Sequence, residues 1–318
     1  MKFDAIILAA GRGKRMKPFS DAISKPMLPI LNKPFVSLIV EQLLKLGAQN
    51  IVITVSKSNE KEIKKYFESQ DYIEKINFCL QDPPMGTADA IYKAALLTNE
   101  ETIVSMSGDN LFSEDFVQSM LEEFFKEKGS ISCVMALMEV TKEEITKLAS
   151  VKVDGKRLIQ SIVEKPKLEE VESTLASLSA YVLSKQVIKF FGSVSLSPRG
   201  EYEAPDAFLA MLANPTGIKL KGSVTREPYL HISNPIDLWN YNIKYLGEKE
   251  NEIAISATIK DNVTLKKSII GNHVTIGANS TLEKCLVLEG VTIPSHANLK
   301  HAVIGRSEKD FEIVIIPE

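Results

Sequence analysis

Six cationic side chains, Arg12, Lys14, Arg15, Lys17, Lys25 and Lys33, crowd between residues 12 and 33 against a single acid, Asp21. They accompany a glycine-bearing stretch, Leu8-Ala9-Ala10-Gly11-Arg12-Gly13-Lys14-Arg15-Met16, and a second segment, Ser24-Lys25-Pro26-Met27-Leu28-Pro29-Ile30. The apolar run from Ala5 to Leu8 reads as a short buried strand that feeds the turn. Glycines at that point let the backbone turn tightly and bring its N–H groups close to an anion. A local surplus of five positive charges, in a chain of net charge −3, suits a highly charged anion such as a triphosphate. The spacing is neither that of a Walker loop nor G-x-G-x-x-G. On residue chemistry alone the stretch also fits a solvated turn or a basic loop for nucleic acid.

Three further clusters carry chemistry. In Gln81-Asp82-Pro83-Pro84-Met85-Gly86-Thr87-Ala88 the glutamine can pair with a nucleobase edge through donor and acceptor. Its Gly86-Thr87 opens a helix, where anions and hydroxyls are bound, although a proline turn with a helix cap has the same composition. Gly108-Asp109-Asn110 places a carboxylate at a strand end, a hard oxygen ligand for Mg2+ or simply a turn. Val163-Glu164-Lys165-Pro166 fits both a polar ligand contact and a surface ion pair before a proline turn.

Taken together, these residues resemble the signature of the sugar-1-phosphate nucleotidylyltransferases. That family carries L-A-A-G-x-G-x-R-M, then K-P-M-L-P about ten residues later, a Gln before G-T-A, a G-D at a strand end and an E-K-P. The resemblance implies in-line attack by a sugar 1-phosphate oxygen on the α-phosphorus of a nucleoside triphosphate, with pyrophosphate leaving and no covalent enzyme intermediate. It implies that Arg15 holds the departing pyrophosphate, Lys25 the α-phosphate, Lys165 the sugar phosphate and Asp109 the metal. Leu8, Ala10, Gly11, Gly13, Gln81, Gly86 and Thr87 are the implied nucleotide contacts, with Gln81 favouring UTP or dTTP. Glu164, Ser177 and Glu201, the last within Arg199-Gly200-Glu201-Tyr202-Glu203 leading to Asp206, are the implied sugar contacts. The implied cofactor is Mg2+, with Mn2+ as the alternative.

The match is uneven. Where the family has W-x-D-x-G, this chain reads Tyr229-Leu230-His231-Ile232-Ser233, so His231 takes the place of the second metal-binding aspartate. Imidazole is a softer ligand, better suited to Mn2+, Co2+ or Zn2+ than to Mg2+. Ser177, Ser179 and Tyr181 align with N-x-G-x-Y, so the sugar-binding Asn and its Gly are replaced. The donor half is intact and the acceptor half altered, which leaves two readings: an active enzyme with an unusual sugar pocket, or a catalytically silent nucleotide- or sugar-phosphate-binding regulatory subunit. Retention of Arg15, Lys25, Asp109 and Lys165 favours the enzyme.

The elements that must hold these residues alternate strand and helix. Strands are expected at Ala5–Leu8, Ile51–Val55, Ile76–Leu80, Thr102–Met106 and Ile131–Leu137, with amphipathic helices at Phe35–Leu46, Glu60–Phe67, Thr87–Leu97 and Ser113–Phe125. Repeated βα units of this length predict an α/β, Rossmann-like, mostly parallel sheet, with ligands at the carboxyl ends of its strands. A less regular stretch follows, with strands near Val151–Val153, Leu158–Val163 and Leu178–Leu183 and helices near Ala204–Leu212 and Ile236–Leu246. The last segment repeats every 17 residues: Ile259, Leu265 and Ile270, then Ile276, Leu282 and Val287, then Ile293, Leu299 and Ile304. Such a period predicts a parallel β-helix of hexapeptide-like coils. Its resemblance is to the left-handed hexapeptide coil that often follows the same family's first domain. The expected division is 1–245, a nucleotidyltransferase domain, and 246–318, a short coil and tail. A coil this short favours a homo-oligomer unless the tail Phe311–Ile316 caps it, and leaves little room for an acetyltransferase site between subunits.

Composition narrows the function classes. With 44% hydrophobic and 25% charged residues the chain has the balance of a folded globular protein. Its net charge of −3 argues against general nucleic-acid binding. No apolar run reaches membrane-spanning length and the start Met1-Lys2-Phe3-Asp4 lacks a signal-peptide core, so a cytoplasmic protein without membrane partners is expected. Cys79, Cys133 and Cys285 each sit among apolar residues and read as reduced core residues.

Overall fold

The first apolar run forms β1 (Phe3–Leu8), which pairs in parallel with β2 (Ala48–Val55) and β4 (Thr102–Ser107). β3 (Ile76–Leu80) extends the parallel side beyond β2. Past β4 the sheet becomes mixed. β8 (Leu175–Ser184) runs antiparallel to β4 and to β5 (Cys133–Glu139), and β9 (Leu220–Thr225) is parallel to β5. β6 (Ala149–Val153) and β7 (Ile159–Glu164) complete an antiparallel edge, giving nine strands. The computed structural model describes residues 1–11, 13–307 and 311–317; Arg12, counted above among the cations, lies outside the described residues.

Packing divides the chain into two units, Met1–Gly11 with Ile39–Tyr229, and Arg12–Leu38 with Leu230–Glu318. The second unit therefore includes the cationic segment that the sequence reading assigns to the first domain. In the first unit, α2 (Glu60–Phe67), α3 (Thr87–Ala95) and α4 (Glu114–Lys126) lie between strands, as the periodicity predicts. Helix α5 (Ala204–Leu212) follows β8. Ile6, Val52, Ile103, Leu137, Tyr181, Phe191 and Phe208 share one buried core there. α1 (Phe35–Lys45) begins beside a Pro29–Ile30/Lys33–Pro34 hairpin. β9, Leu-Lys-Gly-Ser-Val-Thr, carries no hydrophobic run to mark it in the sequence. Gly222 interrupts its strand pattern because a Cβ there would meet the Leu137 side chain at 2.5 Å.

In the second unit α6 (Pro235–Leu246) leads into the coil. Ile259, Ile276 and Ile293 stack as parallel partners, as do Leu265, Leu282 and Leu299, and Ile270, Val287 and Ile304. These are the three ladders the 17-residue period predicts. Corners fall at left-handed residues: Asn262, Asn279 and His296 on one edge, Lys267, Lys284 and His301 on the second, His273 and Gly290 on the third. Strain of about 1–2 kcal/mol at a non-glycine corner is outweighed by roughly 1.5–3 kcal/mol for each buried aliphatic, and every turn supplies several. The tail strand Phe311–Ile315 pairs antiparallel with Asn298–Arg306, so the tail covers one side of the last coil.

All three cysteines are free and buried, as expected. Burial pushes each thiol up, Cys285 to about 11, so none is a thiolate near neutral pH.

Candidate active site

The glycine turn leaves the carboxyl end of β1, where the backbone is held from two neighbours. Thr54 Oγ1 accepts the Ala9 N–H at 3.0 Å, and Asn59 Nδ2 donates to the Ala9 carbonyl at 2.8 Å. Gly108 N–H donates to Leu8 O at 2.9 Å, and a Cβ on Gly108 would stand 3.3 Å from that of Ala9. Asp109 is therefore beside the Leu8–Gly11 turn because a glycine lets the two backbones touch. Asn59, buried after β2, is a supporting residue that sequence reasoning missed. Its only signal was a polar residue ahead of a helix.

Asp109 is half-buried, and its Oδ1 accepts from Ser107 Oγ at 2.5 Å. Next to it, buried Asn110 donates to Leu178 O at 2.7 Å. That bond holds β8 where its register shifts between Ser177 and Tyr181. Ser177 lies 3.5 Å from the Tyr181 hydroxyl. Burial, only partly offset by the Ser177 and Ser179 hydroxyls, pushes Tyr181 up to about 12, so the phenol stays protonated. Ser179 has φ of 53°, a left-handed backbone that explains the glycine in the family motif.

Gln81 is buried, and its side-chain nitrogen donates to Gly86 O and to Asp89 Oδ2, both at 2.8 Å. The amide orientation follows from these two acceptors, which engage the nitrogen and not Oε1. Gly86 has φ of 113°, and a Cβ there would lie 2.8 Å from Tyr202 N. Tyr202 N–H donates to Met85 O at 2.7 Å and Ala88 N–H to Tyr202 O at 2.9 Å. Thr87 Oγ1 accepts from Ala204 N at 3.0 Å, so this hydroxyl satisfies the first turn of α5. The turn read for the nucleotide and the loop read for the sugar are thus one interlocked piece.

At the other end of that loop, Arg199 Nε donates to Glu203 Oε1 at 2.9 Å and Nη2 to Glu203 Oε2 at 2.5 Å. Nη2 also reaches Glu164 Oε1 at 3.0 Å, which Lys165 Nζ approaches at 3.4 Å. Lys165 is exposed, with φ of 49°, a backbone strain of the kind found at functional sites. Glu201 is exposed, and Glu203, not singled out by the sequence reading, carries the pair. Burial alone would raise Glu203, but the Arg199 hydrogen bonds hold its carboxyl below the usual 4.5. Burial, then the charges of Glu203 and Glu164, raises Asp206.

An acid held low stabilises the fold above its unfolded value and loses that contribution as pH falls. Arg199→Met should therefore lower stability at pH 7 by about 1–3 kcal/mol, discounted because Arg199 is 42% exposed. Thermal unfolding across pH is the check: the gap from wild type should narrow below pH 4.5 as Glu203 protonates. A gap that stays constant to pH 3 would sink the assignment.

The second unit carries Gly13, Arg15, Lys25 and His231. Met16 and Phe19 are buried, while Arg15 is exposed on a single turn of 3-10 helix. Lys17 is paired with Asp21 at 3.2 Å, which offsets one of the six cations. Gly13 has φ of 61°, and a Cβ there would stand 2.7 Å from Lys25 Cβ, so glycine leaves room for half-buried Lys25. The backbone N–H of half-buried His231 donates to Tyr241 Oη at 3.3 Å. Ser233, in the glycine's place, donates to Asp237 Oδ2 at 2.6 Å, within the capping box that starts α6.

Among the described residues no three His, Cys, Asp or Glu side chains gather as a preformed metal cage. Half-buried Asp109 offers a carboxylate oxygen of the kind that hard divalent ions take.

The architecture is that of a nucleotidyltransferase followed by a hexapeptide coil. A solved UDP-glucose pyrophosphorylase complexed with UDP-glucose superposes with a TM-score of 0.70 over 78% of this chain and 100% of that one, at 21% identity. The chain belongs to the nucleotidyl transferase family, whose model matches residues 4–222; a GlmU-like C-terminal hexapeptide model matches residues 244–314. The bifunctional protein GlmU of Methanocaldococcus jannaschii is 33% identical over 84% of this chain and 60% of its own length. A UTP–glucose-1-phosphate uridylyltransferase of Streptococcus pyogenes is 27% identical over 64% of this chain and 76% of its own length. The chain spans about 60% of the length of the first curated relatives it matches. Members of the family generally use a divalent metal ion. Among the described residues no helix is long and apolar enough to cross a membrane.

Proposed function

We propose that the protein transfers a nucleotidyl group from UTP or dTTP to a sugar 1-phosphate, releasing pyrophosphate. The observation that carries this reading is the Leu8–Gly11 turn locked against Gly108-Asp109, because it sets an anion-facing backbone beside a carboxylate. Gln81 Oε1, with its nitrogen committed elsewhere, offers the acceptor that the N3–H of uracil or thymine needs. Relatives named for UTP and glucose 1-phosphate support that substrate class.

In this reading Arg15 neutralises the leaving pyrophosphate, Lys25 the α-phosphate and Lys165 the sugar phosphate. Glu164, Glu201 and Ser177 take the sugar hydroxyls. Such transfer needs alignment of two polyanions and charge compensation more than covalent chemistry. A bound Mg2+, held by Asp109 with His231 as second ligand, would supply further charge compensation. We place the boundary between the catalytic domain and the coil at 245/246. Exposed Ile253, Ile255 and Ile259 on the first coil support self-association of copies.

The direct test supplies UTP or dTTP, glucose 1-phosphate and Mg2+ or Mn2+ and measures pyrophosphate. Silence across a panel of sugars and metals would leave the regulatory-subunit reading, which the altered His231, Ser177 and Ser179 positions favour. His231→Asp is expected to raise Mg2+-supported turnover relative to Mn2+, since a carboxylate is the harder ligand. An unchanged ratio of the two metals would remove His231 from the metal's surroundings.

A further inference from the structure

The loop that carries Lys25 is built into the C-terminal coil. Residues Ser24–Pro34 form a single 3-10 turn at Lys25–Met27 and then a hairpin whose two central residues, Leu31 and Asn32, have φ of 46° and 66°. Two consecutive left-handed residues make the tight turn that suits strand twist, but a leucine there is strained and needs its surroundings to hold it.

Asn242 of α6, fully buried, supplies that hold: its Oδ1 accepts the Leu31 N–H at 2.9 Å. Its Nδ2 donates to Pro29 O and to Leu238 O, both at 2.9 Å. Asn32 Nδ2 donates to Ile270 O at 3.0 Å, and Ile270 is a core rung of the coil. Trp239, on the same helix, donates from Nε1 to Lys284 O at 2.7 Å, at a coil corner. Buried Phe19 occupies the space that a side chain on Gly305 of the last coil would need, 2.5 Å from that Cβ to Phe19 Cδ1.

We propose that Asn242 and Asn32 are positioning residues that fix the Lys25 loop to the coil, so that the coil is a working part of nucleotide binding. Neither residue touches substrate in this scheme; both act by setting where the Lys25 backbone stands. The functional half rests on the reading of Lys25 as a phosphate ligand, whereas the structural half does not.

The experiment is hydrogen exchange of the full chain, together with steady-state kinetics, for Asn242→Ala and Asn32→Gly. Glycine at 32 accepts the left-handed turn and removes the side-chain link to Ile270, so it decides the matter if the alanine variant fails to fold. Amide exchange across 24–34 should rise about tenfold while that of the coil strand 281–287 stays at the wild-type rate. KM for the triphosphate should rise about tenfold, with kcat falling less. Unchanged exchange across 24–34 in folded Asn32→Gly overturns the proposal whatever the activity. Raised exchange with wild-type KM and kcat overturns its functional half. Raised exchange in a protein whose wild type releases no pyrophosphate upholds the positioning and sinks the transferase reading instead.

Discussion

Lys25→Ala should cut pyrophosphate release at saturating substrates by about two to three orders of magnitude, the scale on which single fixed charges act on a developing anion. Lys25 sits on a loop whose backbone is anchored by the Pro29–Pro34 hairpin and Asn242, so the loop keeps its anchors when the side chain is shortened. The melting temperature should therefore stay within a degree or two of wild type. Lys17→Ala is the matched control: its ammonium is already paired with Asp21, and turnover should change less than tenfold. If both substitutions had equal effect, general basicity of the segment, and not a placed cation, would account for binding.

Gly86→Ala should be the most damaging single methyl in the first unit. The new Cβ would lie 2.8 Å from Tyr202 N and 3.0 Å from Tyr202 C, both backbone atoms that cannot rotate away. Its φ of 113° adds strain for any L side chain. Together these predict a loss of about 2–4 kcal/mol, or a drop of several degrees in melting temperature. Because the same contact ties 85–88 to 202–204, exchange protection should fall in both segments. A melting temperature equal to wild type would mean that the interlock is absent in solution.

The parallel half of the sheet could be read directly from hydrophobic runs, because strands buried on both faces are nearly all apolar, as in Ile51–Val55 and Ile103–Met106, where only Thr54 and Ser105 are polar. The coil was readable for a different reason: stacking demands the same residue type at the same place in each turn. What stayed hidden were features made by long-range packing. β9 carries Gly222 where bulk would collide with Leu137. Residues 13–38 pack with the coil through Phe19 and Asn32 and with α6 through Asn242, contacts that span some 200 positions or more and for which local pattern gives no signal. The Arg199 cluster is a similar case, since no local pattern ties Arg199 to Glu164, 35 positions away. Glu203 is buried there and Glu201 exposed, a difference that spacing does not carry.

The coil's corners fall at 262, 267, 273, 279, 284, 290, 296 and 301, so one side in three is a residue shorter than the others. Its length is consequently quantised. Deleting one residue at position 278, for example, would move Leu282 and every later rung out of step with the coil below, turning aliphatics toward water and polar residues inward. Removing or duplicating a whole 17-residue turn would leave every ladder in phase. Engineered or natural variants of this segment should therefore differ in length by complete turns.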